Sequence, residues 1–159
     1  MIDGFLRGIA SLALCAALAG CVGSAPPAAG GQTQQEAVMQ VGNVLVRANA
    51  ISTSSLGEAV ARQYGIERDT RTVMLLVGVR RDDGGNETAL PARVTAVASD
   101  LLGKRQELVM REVRNGEFID YVGTARVIAP DTLRFDVTAT PEGGSPMQLR
   151  FNRDFFRHP

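Results

Sequence analysis

The sequence feature that most constrains the fold is a series of short segments in which apolar and polar residues alternate. Every second residue is apolar from Val73 to Val79 and again from Leu133 to Ala139, and a similar pattern runs through residues 44–50 and 94–98. A period of two places the apolar side chains on one face of a β-strand. The pattern therefore predicts a mainly β chain in which each strand has one buried and one solvated face.

Turn signals separate these segments. Asp82–Asn86 (D-D-G-G-N) and Asn115-Gly116 are hairpin signals, and Pro141–Pro146 (P-E-G-G-S-P) is predicted to be another turn. Between the first two turns we predict one strand from about Lys104 to Arg114. About seven strands at near-regular spacing indicate an antiparallel, immunoglobulin-like β-sandwich.

One short helix is predicted near residues 55–64. Ser54 or Ser55 is placed to cap it, and Glu58 stands three residues after Ser55, which is the spacing of a capping box. Gly65 follows as the stop. The face predicted to pack on the sandwich consists of Leu56, Ala59, Val60 and Tyr64.

The beginning of the chain has a different character. Arg7 precedes an apolar run from Gly8 to Leu18, which is shorter than the roughly 20 residues that span a bilayer. A positive flank, a short apolar centre and small residues after it are typical of a signal peptide. Residues 18–21 read L-A-G-C, as in the lipobox of bacterial lipoproteins. We predict a signal peptide over residues 1–20, cleavage between Gly20 and Cys21, and attachment of lipid to the Cys21 thiol.

The lipid would anchor the chain to a membrane. Cys15 lies within the predicted signal peptide, so Cys21 is the only cysteine left after cleavage, and lipidation would remove an unpaired thiol from an oxidising compartment. Residues 21–35, the lipidated cysteine and a Pro-, Gly-, Ala- and Gln-rich stretch, are predicted to be a flexible linker. The sandwich domain is predicted over residues 36–159. Val22 after the cysteine favours the outer membrane over the inner membrane.

The residue types do not favour catalysis, a metal or nucleic acid. His158 is the single histidine and stands beside the C-terminus, where a side chain is rarely held in place. Seventeen basic residues balance seventeen acidic ones, so the basic footprint of a nucleic-acid binder is missing. We therefore expect no enzyme, no cofactor and no metal site.

Two acidic clusters have simpler interpretations. The first mixes Glu107, Glu112, Glu117 and Asp120 with arginines, which favours charge pairs across strands over acid–base chemistry. The second lies in the Asp82–Asn86 turn and Glu87, where the spacing of a calcium loop is missing.

Three residues are candidates for an interaction surface. Tyr64, Arg68 and Tyr121 combine aromatic and arginine side chains, which are enriched at protein interfaces. Packing of the helix on the sandwich is the alternative role for Tyr64.

Four groups of residues have a familiar order and spacing: Ala61–Ile66 with Arg68, Gly103–Val113 with Gly116 and Ile119–Tyr121, Thr132–Phe135, and Leu149–Phe151 with Phe155-Phe156. Together they resemble the DUF4426 family of bacterial envelope proteins. The resemblance covers roughly residues 36–157 and implies a secreted domain of immunoglobulin-like β architecture. It implies no catalytic residues, since the family's function is unassigned. This chain differs from many members of the family in having a lipobox, since those members look simply secreted.

These observations lead to two functional expectations. The first is a non-enzymatic, membrane-anchored periplasmic domain that binds another envelope protein or supports an assembly. The second is a carrier of a lipid or other apolar ligand between the sheets, because several predicted core residues are small and could leave space: Ala48, Ala50, Ala96, Ala98 and Ala125.

Overall fold

A computed structural model of the protein describes residues 36–157. These residues form ten strands and one short α-helix. In chain order the elements are β1 Ala37–Val41, β2 Val44–Ser52, α1 Glu58–Gln63, β3 Thr72–Asp82, β4 Glu87–Ala89, β5 Ala92–Ser99, β6 Arg105–Leu108, β7 Arg111–Asn115, β8 Phe118–Arg126, β9 Asp131–Pro141 and β10 Met147–Phe155.

The strands form two antiparallel sheets. The first sheet has the order β1-β2-β3-β8-β7, with β4 paired to the end of β3, and the second has the order β10-β9-β5-β6. Alternate residues of both sheets meet in one core, with Val77 and Val79 from the first sheet and Phe135 and Val137 from the second nearly inaccessible to solvent. The predicted mainly β sandwich is therefore confirmed, with ten strands in place of about seven.

The middle of the first sheet is buried on both faces. On the side away from the second sheet, Met74 and Val122 contact Leu56 and Ala61 of the segment that joins β2 to β3. This segment, which we call the helix segment, contains a 3₁₀ turn, Thr53–Ser55, followed by α1. The expectation of one wet face per strand is wrong for β3, because the segment covers the second face. The continuous apolar run V-M-L-L-V over residues 73–77 reflects this double burial.

The start and the packing face of the predicted helix differ from expectation. Ser55 ends the 3₁₀ turn, Gly57 is the N-cap of α1, and no side chain caps the helix. The predicted capping box is therefore wrong. Ala61 is buried, whereas Val60 is 40% exposed, because the helix begins later and presents a different face.

The C-terminal end of the helix is as predicted. Gly65 has a φ of +57°, and the Gly65 and Ile66 N–H groups donate to the carbonyls of Arg62 and Ala61. This pair of hydrogen bonds is the Schellman motif, which favours glycine at the left-handed position.

The single strand predicted from Lys104 to Arg114 is two strands in different sheets. β6 pairs with β5 in the second sheet, and β7 pairs with β8 in the first. The chain crosses between the sheets at Val109 and Met110, directly over Gly123 of β8. A Cβ atom on Gly123 would lie 2.5 Å from the Met110 sulfur and 3.2 Å from the Leu108 Cβ, so any side chain there would force Met110 to move and the crossing chain to shift.

The sandwich has two ends of different construction. The turns β1–β2, β3–β4, β7–β8 and β9–β10 lie at one end, which we call the hairpin end. The β5–β6 loop, the β8–β9 connection and the chain after β10 lie at the other, which we call the loop end. The hairpins predicted at Asp82–Asn86 and Asn115-Gly116 are present, and the turn predicted at Pro141–Pro146 connects β9 to β10 in a third hairpin. Within residues 36–157, no helix has the length and apolar character needed to cross a bilayer.

Candidate functional site

An apolar groove opens between the two sheets at the hairpin end. It has a volume of about 570 Å³, within the range of small-ligand sites. Its walls come from β1 and β2 of the first sheet and from the β9–β10 turn of the second. The lining residues include Met39, Val41, Val44, Leu90, Pro141, Pro146 and Met147.

The register of β1 explains why apolar side chains face this groove. Ala37, Met39 and Val41 point to the same side of the strand, and Met39 packs against the core. Val41 is the last of the three, and it is 58% exposed because the sandwich ends there. Val38 points to the opposite side of β1 and is 49% exposed. The sequence pattern does not predict β1, so the groove is not predicted either.

Asp120 connects the helix segment to the first sheet. One carboxylate oxygen accepts a hydrogen bond from the Tyr64 hydroxyl at 2.9 Å, and the other accepts one from Arg80 Nη2 at 2.8 Å. Arg80 Nη1 also donates to the Ile119 carbonyl at 2.7 Å. The Arg80 and Asp120 side chains are only 13% and 17% exposed. Every member of this group has a partner, as expected for a structural network.

The environment of Tyr64 keeps its hydroxyl protonated. Burial raises the pKa of Tyr64 to about 12, and the hydrogen bond to the Asp120 carboxylate adds to the effect. A phenol with such a pKa is a hydrogen-bond donor at neutral pH and not a general base. Tyr64 therefore holds the helix segment on the sheet, which is the alternative role considered for it.

Tyr121 lies on the other face of the same sheet, in the core between the sheets. It is only 4% exposed, and its hydroxyl accepts a 2.7 Å hydrogen bond from the Ala92 N–H of the second sheet. The hydroxyl donates to Glu112 at 3.3 Å. Burial raises the pKa of Tyr121. Tyr121 thus joins the two sheets and is not part of an exposed surface.

Arg68 is exposed and donates to the Ser54 carbonyl at 3.0 Å. It lies with Tyr64 on the segment between β2 and β3, whereas Tyr121 lies beyond the sheet. The structure therefore does not bring Tyr64, Arg68 and Tyr121 together in one interaction surface, because successive residues of β8 point to opposite faces.

The first acidic cluster is dispersed in the fold. Glu107 belongs to the second sheet and Glu112 to the first, so their carboxylates do not form a pair. Glu112 accepts a 2.6 Å hydrogen bond from Arg114, two residues along the same strand. This ion pair follows one strand, whereas Asp120 of the same cluster pairs with Arg80 across β8 and β3, as the sequence suggested.

The second acidic cluster is used by the β3–β4 hairpin. Asp82 accepts a hydrogen bond from the Gly85 N–H at 2.7 Å, and Asp83 accepts one from the Asn43 side chain at 3.0 Å. Glu87 binds Arg47 at 2.6 Å. Among residues 36–157, no group of three or more His, Cys, Asp and Glu side chains is arranged to hold a metal ion.

A second cleft, of about 390 Å³, lies beside the helix segment and is polar. Asp69 lies at the rim of this cleft. The Asp69 carboxylate accepts a hydrogen bond from Arg126 at 2.9 Å and one from the Thr72 hydroxyl at 3.0 Å. Hydrogen bonds, first that from the Arg71 N–H, lower the pKa of Asp69. Because Asp69 and Arg126 already pair with each other, the apolar groove is the stronger candidate for a binding site.

Several predictions concern residues outside the described part of the chain. These are the signal peptide over residues 1–20 with its cleavage after Gly20, the lipid attachment at Cys21, the linker over residues 21–35, and the penultimate residue, His158.

Comparison with known families shows to which family the chain belongs. The model of DUF4426, a domain of unknown function, matches residues 38–158. This protein belongs to the DUF4426 family. The resemblance noted in the sequence is thereby confirmed. No curated protein matches the chain in sequence.

Solved structures include a relative of this DUF4426 protein. A DUF4426 family protein of Pseudomonas aeruginosa is 26% identical, with a TM-score of 0.67 over 80% of this chain and 99% of the other. Two structures of FetP from uropathogenic Escherichia coli share the fold. A copper-bound FetP variant is 11% identical, with a TM-score of 0.55 over 76% of this chain and 95% of that one. The as-isolated FetP, expressed in the periplasm, is 10% identical, with a TM-score of 0.57 over 79% and 98%.

Proposed function

We propose that this DUF4426 protein is a lipid-anchored, non-catalytic binding protein of the bacterial cell envelope. Lipid on Cys21 would hold the protein to a membrane, with residues 36–159 in the periplasm. The outer membrane is favoured over the inner membrane. The L-A-G-C sequence after a short apolar run supports this location. The described residues contain no cysteine, so the domain needs no disulfide in that compartment. FetP, which shares the fold, was expressed in the periplasm.

The observation that carries the binding role is the apolar groove at the hairpin end. Large exposed apolar surface that is shaped as a groove is typical of sites that bind another molecule. Residues of both sheets line it, so its shape is set by the sandwich itself. We propose that it receives an apolar segment of another envelope protein.

Catalysis is not part of this proposal. The described tyrosines and the Asp120–Arg80 pair are engaged in structural hydrogen bonds. Copper, named for a FetP variant, is also not proposed, because an identity of 11% shows the fold alone and residues 36–157 contain neither histidine nor cysteine.

The anchor is tested by the mass of the mature N-terminus. We expect the chain to begin at Cys21 and to carry a diacylglyceryl adduct, and we expect Cys21→Ser to shift the protein from the membrane fraction to the soluble periplasm. An unmodified Cys21, or a mature chain that begins elsewhere, would contradict the anchor.

The groove is tested by photocrosslinking in cells. A photoreactive residue at the exposed groove position Gln148 should give a crosslinked protein. Val41→Asp should abolish the crosslink by placing a charge in the groove. Val38→Asp is the matched control, since Val38 is the same residue type on the opposite side of β1. Equal crosslinking in both variants would rule out the groove as the partner site.

A second candidate is that the groove carries a lipid or another apolar ligand. The space between the sheets is filled by side chains such as Phe135 and Leu75, both fully buried, and small residues such as Ala48 and Ala98 let the sheets approach. A carrier would therefore have to use the groove at the end of the sandwich. Mass spectrometry of the products crosslinked at position 148 separates the two candidates. A carrier would give lipid adducts, which Val41→Asp would abolish, and would give no protein adduct.

A further inference from the structure

The loop end of the sandwich carries a second set of exposed apolar side chains. Leu101 and Leu102 in the β5–β6 loop are 75% and 95% exposed, Ile128 before β9 is 78% exposed, and Phe156 after β10 is 54% exposed. Apolar side chains this large and this exposed normally mark a contact surface when they occur together.

The strand register places these four residues at the same end. Ser99, the last residue of β5, pairs with Arg134, and Leu102 stands three residues beyond Ser99. Asp131 stands three residues beyond Arg134 in the same direction and pairs with Phe155. Phe156 and the loop therefore reach a similar level.

Hydrogen bonds hold this end in shape. Asp100 Oδ1 accepts from the N–H groups of Leu102 and Lys104 at 3.0 and 2.8 Å, which closes the β5–β6 loop around its two leucines. Arg157 Nε donates to the Ala129 carbonyl at 2.8 Å, which brings the chain after β10 beside the β8–β9 connection. The four apolar side chains are thus displayed by ordered turns.

Exposed cations accompany the apolar side chains. Lys104 and Arg105 follow the two leucines, and Arg157 follows Phe156; all three are exposed. The carboxylate of Asp100 at this end is directed into its own turn. Apolar and aromatic side chains next to Lys and Arg are the combination found at the surface of anionic membranes.

The point at which the chain enters the domain favours the same end. β1 runs from Ala37 toward the hairpin end, so its first residue is the one that lies nearer the loop end. Ala37 pairs with Ala48, four residues before the end of β2 at Ser52, which is roughly 13 Å of strand. The fifteen residues from Cys21 to Glu36 span at most about 50 Å, so an anchored domain stays close enough for this end to meet the bilayer.

We propose that the loop end is a membrane-contacting surface. Leu101, Leu102, Ile128 and Phe156 enter the interfacial layer of an anionic bilayer, and Lys104, Arg105 and Arg157 contact its headgroups. This inference rests on the proposed anchor at Cys21. It also implies that the groove faces away from the membrane, because the groove lies at the hairpin end.

The test places an environment-sensitive fluorophore at each end of the anchored protein. The variants are Leu102→Cys at the loop end and Asn86→Cys in the β3–β4 turn as the control, each reconstituted in vesicles of three parts phosphatidylethanolamine to one part phosphatidylglycerol. We expect lipids with a quencher on the acyl chain to quench the label at position 102 several-fold more than the label at 86. Equal quenching at both positions overturns the inference.

A second measurement uses the unanchored chain, Cys21→Ser. Replacing both Leu101 and Leu102 by Asp should lower its partition onto the same vesicles by about tenfold or more, because two large apolar side chains leave the interface. Val109→Asp is the matched control, since Val109 is 89% exposed but lies at the crossing between the sheets. An equal effect of the control and the double variant overturns the inference.

The two proposals fail in different ways. A Cys21 without lipid, together with partition that depends on Leu101 and Leu102, refutes the anchor and supports the membrane surface. A lipidated Cys21 with the label at 102 fully exposed to water supports the anchor and overturns the membrane surface. Crosslinks from position 102 to an envelope protein, without quenching by lipid, also overturn it.

Discussion

At the scale of single residues, Asp120 is the shared acceptor of two elements that are distant in the sequence. It binds Tyr64 of the helix segment and Arg80 of β3. Because both partners are shielded from solvent, these bonds contribute more than an exposed ion pair does.

Removal of the Asp120 carboxylate should destabilise the domain. Asp120→Ala leaves Arg80 and Tyr64 without their acceptor, and we expect the free energy of unfolding in urea to fall by roughly 1–3 kcal/mol. Glu58→Ala is the control, because the Glu58–Arg62 pair is 74% and 73% exposed and should contribute less than about 0.5 kcal/mol. Equal effects of the two substitutions would contradict this account.

Tyr64 should make the domain sensitive to alkali. Its folded pKa of about 12 exceeds the ordinary value of 10.0, so the folded state retains a proton that the unfolded state loses. Its contribution to stability is therefore complete below about pH 10 and is lost as the pH rises toward 12. In Tyr64→Phe, urea unfolding between pH 9 and 12 should show a shallower fall in stability. An unchanged slope would refute the assignment.

Absorbance at 295 nm provides a direct check, since the chain has only two tyrosines. Both have raised pKa values in the fold, so ionisation should require a higher pH in the native protein than in urea. Tyr64→Phe should leave one transition.

At the scale of elements, the crossing from β6 to β7 connects the two sheets over Gly123. Gly123→Val should destabilise the protein by roughly 1–3 kcal/mol in urea unfolding, because the added carbons meet the Leu108 Cβ and the Met110 sulfur. Thr124→Val is the control, since Thr124 is exposed on the same strand and valine is favoured in strands. A stable Gly123→Val variant would show that the crossing shifts freely.

At the scale of the whole molecule, residues 36–157 form two hydrophobic clusters from their own side chains. We therefore expect a chain that begins at Glu36 to unfold in urea with the same midpoint as the Cys21→Ser mature chain. A lower midpoint would show that residues 21–35 contribute to stability.

The sequence by itself determined the sandwich, two of its hairpins, the turn at Pro141–Pro146 and the helix stop at Gly65. These features are local, since a period of two and a left-handed glycine act over a few residues. Residues 104–114 show the limit of such reasoning, because nothing in that stretch indicates that the chain changes sheets between Leu108 and Arg111. The glycine that permits the crossing lies at position 123 in another strand.

Tertiary structure alone decided which faces were covered and which side chains met. The sequence placed Tyr64 and Tyr121 in the same candidate surface. In the fold, the Tyr64 hydroxyl binds Asp120 on the outer face of the first sheet, whereas the Tyr121 hydroxyl binds the Ala92 N–H between the two sheets. The apolar groove and the loop end likewise consist of residues from separate turns. Their positions depend on which strands pair in the two sheets. That pairing joins residues far apart in the sequence, so the local pattern does not specify it.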